Sequence, residues 1–339
     1  MHDGSHDLAS RTTLRLGGPA AQVVTATVTE EIPRMVRGAR ALFILAGGSN
    51  VVVSDEGYPG TVLLLRNRGI TVTRDGDAVL LTVAAGEPWD EVVARTVSEG
   101  WAGIECLSGI PGSAGATPIQ NVGAYGQEIA ETIVAVRVYD RERDETTELA
   151  PAECGFGYRA SRFKHSNRWI VLAVTMRLTV DRLSTPIRYP ELARALGVQA
   201  GDRAPLEEVR AAVRKLRAGK GMVLDPDDPD TYSVGSFFTN PVLSATAFET
   251  LRDAGAPAWP NPDGTVKTSA AWLIEHAGFG KGYGSDGVSI STKHTLALTN
   301  RGSGTTTALL DLAREIRAGV AQRFGVTLVP EPVLVNCTL

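Results

Sequence analysis

The chain has 339 residues, 43% of them hydrophobic and 21% charged, with a formal charge of -4. That length is long for one core, so two or three domains are expected, and the scattered Lys and Arg offer no basic face for a nucleic acid. No apolar run approaches the roughly 20 residues that span a bilayer. The opening Met1-His2-Asp3-Gly4 lacks the charged-then-apolar pattern of a secretion leader, so a cytoplasmic location is expected.

Short apolar runs at Val23–Val28 and Leu42–Leu45 read as buried strands, and a third run, Val62–Leu65, stops at Arg66. Two β-rich runs, 70–73 and 79–83, flank Asp75-Gly76, the pattern of a hairpin turn. Pro88–Glu99 predicts a helix: proline in the first turn, Asp90 and Glu91 after it, a stripe of Trp89, Val92, Val93 and Val97, and Gly100 to stop it. Beyond a long glycine-rich loop, Ile133–Tyr139 and Trp169–Val180 read as strands. Pro205–Gly219 predicts a second helix, with Leu206, Val209, Val213 and Leu216 on one face, acids early and bases late. Asp225-Pro226-Asp227-Asp228-Pro229-Asp230 cannot continue a helix and marks a candidate domain boundary. Ala308–Phe324, striped by Leu309, Leu312, Ile316, Val320 and Phe324, predicts the strongest helix of the chain, ended by Gly325. Elements mix without regular alternation, which is an α+β pattern. Cys106, Cys154 and Cys337 are odd in number and far apart, suggesting neither a disulfide framework nor a zinc cluster.

Two loops have the composition to bind phosphate. Ala46-Gly47-Gly48-Ser49-Asn50 follows a buried strand; its glycines let successive N–H groups point at an anion, although a strand-to-loop turn needs glycine anyway. The longer loop from Gly109 to Gly126 includes Ile110, Pro111, Gly112, Ser113, Gly115, Gln120, Asn121, Gly123, Ala124 and Tyr125 and carries almost no charge. It reads either as a surface Ω-loop or as a donor-rich wall for a large ligand. Gly155-Phe156-Gly157-Tyr158-Arg159-Ala160 matches the GxGxxA dinucleotide pattern, but no buried strand precedes it and no helical stripe follows, so a Rossmann site is not expected there.

Six blocks in order carry a resemblance: Ala46-Gly47-Gly48-Ser49-Asn50, Gly109-Ile110-Pro111-Gly112-Ser113, Gln120 to Gly126, Tyr158 to Lys164, Gly235-Ser236-Phe237-Phe238-Thr239-Asn240-Pro241 and Pro330-Glu331. From about Leu8 to its end the chain resembles the UDP-N-acetylenolpyruvoylglucosamine reductases, and the insert Arg188-Tyr189-Pro190-Glu191-Leu192 looks like the substrate-covering tyrosine loop of their type I subfamily. The resemblance implies an α+β fold. An FAD-binding module of the vanillyl-alcohol-oxidase (PCMH) type in two subdomains would carry a smaller α+β substrate-binding domain. The implied division is 1–69, completed by 327–339; 70–224, with the tyrosine-loop insert near 187–200; and 225–326 for substrate. Both glycine loops would wrap FAD.

The implied reaction has two halves in peptidoglycan precursor synthesis. NADPH reduces FAD; hydride then passes to the vinyl carbon of the enolpyruvyl sugar nucleotide, and the carbon bearing the ether oxygen takes a proton. Charge developing beside an existing carboxylate needs a preorganised cationic environment, and the resemblance assigns it to Arg159, whose guanidinium is always protonated. Ser236 would be the proton donor, and Glu331 would either donate a hydrogen bond or orient Arg159. Pro332 follows Glu331 where the family has an aliphatic residue. Tyr158, Tyr189, Asn240 and His294 would contact substrate, while the lysine that some relatives place there is left open among Lys220, Lys267 and Lys281. A monomer without nucleic-acid, membrane or metal partners is expected. The competing reading is an alcohol or sugar oxidase on the same flavin module.

Overall fold

The structure, a computed structural model, describes residues 6–39 and 41–339. Met1–Gly4, read above for a leader, lie outside them. The chain forms two compact units. Ala20–Gly48 and Pro59–Val223 build the first; Asp7–Pro19, Ser49–Tyr58 and Leu224–Leu339 build the second.

In the first unit an antiparallel sheet runs in the order Glu145–Leu149, Ile133–Asp140, Trp169–Val180, Ala78–Ala84, Ile70–Asp75. The expected hairpin is present: Asp75 pairs with Ala78 across a turn in which Gly76 takes φ +63°. Alternating Val79, Leu81 and Val83 face the core, where Val92, Val93 and Val97 of helix Trp89–Glu99 meet Val136, Val174 and Met176. Each such side chain, fully buried, contributes about 1.5–3 kcal/mol. Gly100 ends this helix in the left-handed region and returns its N–H to the Thr96 and Val97 carbonyls. A smaller sheet joins Ala20–Ala26, which starts three residues before the expected Val23, to Tyr58–Leu65 and Leu42–Leu45.

The insert after Trp169–Val180 is folded, not a bare loop. Helix Pro190–Leu196 packs Leu192 and Ala193 against Val209 and Val213 of helix Leu206–Gly219, with Ile187 and Cys106 in the same cluster.

The second unit holds two three-stranded sheets, Ser233–Ser236/Ala297–Asn300/Val288–Ile290 and Val242–Leu243/Val266–Thr268/Ala258–Pro260. Helices Ala245–Asp253, Ala270–His276 and Thr306–Phe324 cover its core. The last helix begins two residues before the expected Ala308. Thr305 caps the Ala308 N–H, and the Asp55 carboxylate accepts the Thr306 and Thr307 N–H groups at 2.7 and 2.8 Å, so the first-turn donors are satisfied. Val333–Val335 pairs in parallel with Val51–Val53 inside this unit, which groups 7–19 and 49–58 with everything after 223, whereas the implied division joined 327–339 to the whole of 1–69. Among the described residues no helix is long and apolar enough to cross a membrane.

Candidate active site

The two glycine segments meet inside the first unit. A Cβ on Gly47 would lie 2.5 Å from the Gly112 Cα, so only glycine lets these backbones approach. The longer loop is pinned to the sheet and helix: Trp89 N–H donates to Gly112 O at 3.0 Å, Ala114 N–H to Glu87 O at 2.8 Å and Gly115 N–H to Ala85 O at 2.9 Å. Ser113 Oγ is buried and has no hydrogen-bond partner among the described residues. Leaving such a hydroxyl unpaired costs about 1–3 kcal/mol, so a ligand oxygen there would be stabilised. An uncharged, glycine-lined wall with an orphaned hydroxyl fits a diphosphate-bearing cofactor such as FAD. Ile110, Pro111 and Gln120 stand half-buried along the same loop. The chain crosses to the second unit between Gly48 and Ser49, and there Asn50 O accepts the Val333 N–H at 3.0 Å.

The end of the long loop is a small hairpin, Gly123–Ala124 against Gln127–Glu128, turned by Tyr125 at φ +49° and Gly126. Arg159 reaches onto it: Nη2 donates to Gly123 O at 2.9 Å and Nη1 to Asn121 O at 3.5 Å. Arg159 itself takes φ +53°, and its guanidinium lies 5.4 Å from the centre of the Tyr158 ring. The GxGxxA stretch around it follows a single 3-10 turn, Pro151–Glu153, and closes on itself through a Gly157–Ala160 bridge, so it lacks the flanks of a dinucleotide site.

Beside the hairpin, Tyr125 and Tyr189 meet edge-on with ring centres 5.5 Å apart. Burial raises the Tyr125 phenol to about 12, with Arg217 pulling the other way. Of the lysines left open by the sequence, Lys220 comes here: its Nζ sits 5.7 Å over the Tyr125 ring and 2.6 Å from Glu191 Oε2. Lys267 instead lies between Val242 and Trp259 in a sheet of the second unit, and Lys281 is exposed. Arg217, which the sequence reading passed over, donates to Gly109 O at 3.2 Å and Met222 O at 3.1 Å, and burial lowers its pKa. The signal was its spacing: 209, 213 and 217 share one helical face.

In the second unit, Ser236 ends strand Ser233–Ser236 and Gly235 before it takes φ +73°. Backbone rungs tie this strand to the C-terminal segment: Glu331 N–H donates to Phe237 O at 2.9 Å and Thr239 N–H to Val329 O at 3.0 Å. Glu331 is thus one residue across from Ser236. Pro332 is buried just ahead of strand Val333–Val335, so its missing N–H falls outside the ladder. Asn240 Oδ1 accepts the Ala270 N–H at 3.0 Å, at the start of helix Ala270–His276. His294 sits half-buried in a turn closed by its N–H to Ser291 Oγ at 3.2 Å. Asp230 organises that turn: it accepts from Thr292 N–H and from Arg301 Nη1 at 2.8 Å.

Residues 227–335 match the family described as UDP-N-acetylenolpyruvoylglucosamine reductase, C-terminal domain, and residues 20–149 match the FAD binding domain family. The chain is 61% identical to a UDP-N-acetylenolpyruvoylglucosamine reductase of Salinispora arenicola over 350 aligned positions, covering 99% of this chain and 96% of that one. Its identity to the Thermobifida fusca protein of the same description is 57%, covering 98% and 97%. The crystal structure of the Thermus caldophilus reductase superposes with a TM-score of 0.67 at 27% identity, covering 97% of both chains.

Proposed function

The chain belongs to the UDP-N-acetylenolpyruvoylglucosamine reductase family, and from that premise we propose which of its residues carry the chemistry. It is an FAD-containing oxidoreductase on a vanillyl-alcohol-oxidase-type flavin module, reducing UDP-N-acetylglucosamine enolpyruvate to UDP-N-acetylmuramate with NADPH. FAD, when bound, supplies the hydride relay between NADPH and the vinyl carbon. The two halves of the longer glycine loop suit it differently: Gly112 and Ser113 offer the close backbone and the orphaned hydroxyl, while residues 121–128 carry Arg159.

Arg159 meets the substrate carboxylate, into which the enolate charge spreads. Support comes from its fixed setting: the Gly123 and Asn121 carbonyls orient the guanidinium at 2.9 and 3.5 Å. Ser236 gives its hydroxyl proton to the carbon bearing the ether oxygen. Glu331, whose N–H donates to Phe237 O, supplies the carboxyl that works with that hydroxyl. Tyr189, Tyr125 and Lys220 face the nucleotide phosphates, the lysine being favoured over Lys267 and Lys281 because it alone stands among those rings. Asn240 and His294 remain substrate contacts in this reading, Asn240 held through its Oδ1 on the Ala270 N–H and His294 through its own N–H on Ser291 Oγ. NADPH and a UDP-linked sugar are soluble polyanions, which supports a cytoplasmic setting; the reading keeps a monomer with no membrane or nucleic-acid partner.

The observation that supports the residue assignment is the backbone rung between Glu331 and Phe237, which sets the chain at Glu331 against the residue that follows Ser236. Rapid mixing of Ser236→Ala tests it. NADPH should bleach the flavin at the parent rate, while reoxidation by the enolpyruvyl substrate slows by about 10²–10⁴-fold. Equal slowing of both halves would remove the proton-donor role.

A further inference from the structure

Asn121 lies in a loop that the resemblance assigns to FAD, yet its side chain is spent within the protein. It is 2% exposed. Its amide nitrogen donates to Glu128 Oε2 at 2.7 Å and to Gly157 O at 3.1 Å, and its amide oxygen accepts the Ala130 N–H at 3.1 Å. A carboxamide has two N–H donors, and both are committed. The three partners are informative. Gly157 precedes Arg159 by two residues, Glu128 belongs to the hairpin strand opposite Gly123, and Ala130 follows that strand. The Asn121 main-chain carbonyl and the Gly123 carbonyl are the two acceptors that orient the Arg159 guanidinium. A Cβ on Gly123 would lie 2.9 Å from Glu128 Cγ and 3.2 Å from Arg159 Nη1, so the packing leaves the guanidinium no slack on this side.

Backbone conformation points the same way. Of the seven non-glycine residues with positive φ among the described residues, three are Asn121 at +45°, Tyr125 at +49° and Arg159 at +53°. Left-handed non-glycine residues persist only where their surroundings over-determine them. Here the Asn121 amide supplies that determination by tying the Arg159 loop to the hairpin.

We propose that Asn121 is a positioning residue for Arg159, not a cofactor ligand through its side chain. It locks the loop that presents the guanidinium to the substrate carboxylate. The proposal rests on the reading of Arg159 given above.

Asn121→Gly deletes the amide while keeping a residue that accepts the left-handed φ. In the purified holoenzyme, FAD content and the rate of bleaching by NADPH stay within about twofold of the parent, and reoxidation by substrate slows about 10- to 100-fold, as for a displaced reacting group. In an Arg159→Ala background the same change slows reoxidation by less than about threefold more, because the two substitutions remove one function. Loss of bound FAD, or equal slowing of both halves, overturns the proposal in favour of a cofactor or general structural role. So does a full additional loss in the Arg159→Ala background. If Arg159→Ala alone leaves reoxidation intact, the inference falls together with the reading of Arg159; if that variant is slow and Asn121→Gly is not, the inference alone falls. Should Asn121→Gly not fold, Asn121→Asp carries the same measurements: it keeps the acceptor for Ala130 and sets a carboxylate against Glu128 and the Gly157 carbonyl.

Discussion

The two units hold their candidate groups by different means. In the first, Arg159 sits on irregular backbone, and side chains such as Asn121 and Glu128 hold the surrounding turns together. In the second, Ser236 and Glu331 sit on extended backbone joined by main-chain rungs, with Phe237 N–H donating to Leu296 O at 2.7 Å and Phe237 O accepting from Glu331. A main-chain rung survives replacement of the side chain beside it; a lattice of side-chain hydrogen bonds does not. The first unit should therefore transmit substitutions at neighbouring positions to its functional group, whereas the second should confine them to the residue changed.

Arg159→Ala probes this contrast where the effect is largest. Reoxidation by substrate should slow by about 10²–10³-fold, the scale of losing one preorganised charge donor at a developing anion. Arg159→Lys should recover little, because one ammonium cannot hold the Gly123 and Asn121 carbonyls and a substrate carboxylate together. Stopped-flow traces of the two halves, with melting curves for each variant, check both. Full recovery by lysine would mean that charge alone matters and that the bracing is incidental. A smaller effect is expected at Tyr189, which is 42% exposed and so contributes little to the fold. Tyr189→Ala should raise the KM for the sugar nucleotide about tenfold, roughly 1.4 kcal/mol, and leave FAD content unchanged. Loss of flavin would place the ring on the cofactor side.

Much of this scaffold is legible from hydrophobic period alone. Trp169–Val180 and the helix ending at Gly100 fall where apolar spacing and a stop glycine put them. Helix Ala245–Asp253 was missed because only Phe248 and Leu251 are buried in it, too short a stripe to register. The hairpin at 123–128 was missed because its turn is made by Tyr125-Gly126, and tyrosine at positive φ is no turn signal. The six blocks mark the candidate residues, but not how those residues are held. Glu105 illustrates the gap. It is fully buried, accepts from Gly103 N–H at 2.6 Å, Gln127 Nε2 at 2.9 Å and Thr185 N–H at 2.9 Å, and thereby ties the hairpin to the start of the tyrosine insert. Two of these partners, Gln127 and Thr185, lie 22 and 80 residues away in the chain, beyond any local pattern.

Acid stability separates the units most finely, because each carries carboxylates of lowered pKa, Asp90 among those of the first and Asp230 among those of the second. Burial pushes Asp90 upward, but the Arg210 guanidinium, the Gly109 N–H and the charge of Arg214 outweigh it. Burial likewise pushes Asp230 upward, and the Thr292 hydroxyl and N–H, Ser291 and Arg301 outweigh that. A carboxyl whose folded pKa lies below the unfolded value, about 3.9, stabilises the fold fully above that value and loses its contribution as pH falls through the folded value. The window is therefore below about pH 4. Asp230 is the more enclosed, 5% exposed at the side chain against 35% for Asp90, so solvent screens it less. Asp230→Asn should flatten the fall of melting temperature below about pH 4 more than Asp90→Asn does, and both should leave the slope near neutrality unchanged. If Asp90→Asn flattens it more, the first unit, for all its irregular loops, depends on its ion pair more than the second does, and the contrast between braced loops and self-supporting rungs extends from catalysis to stability.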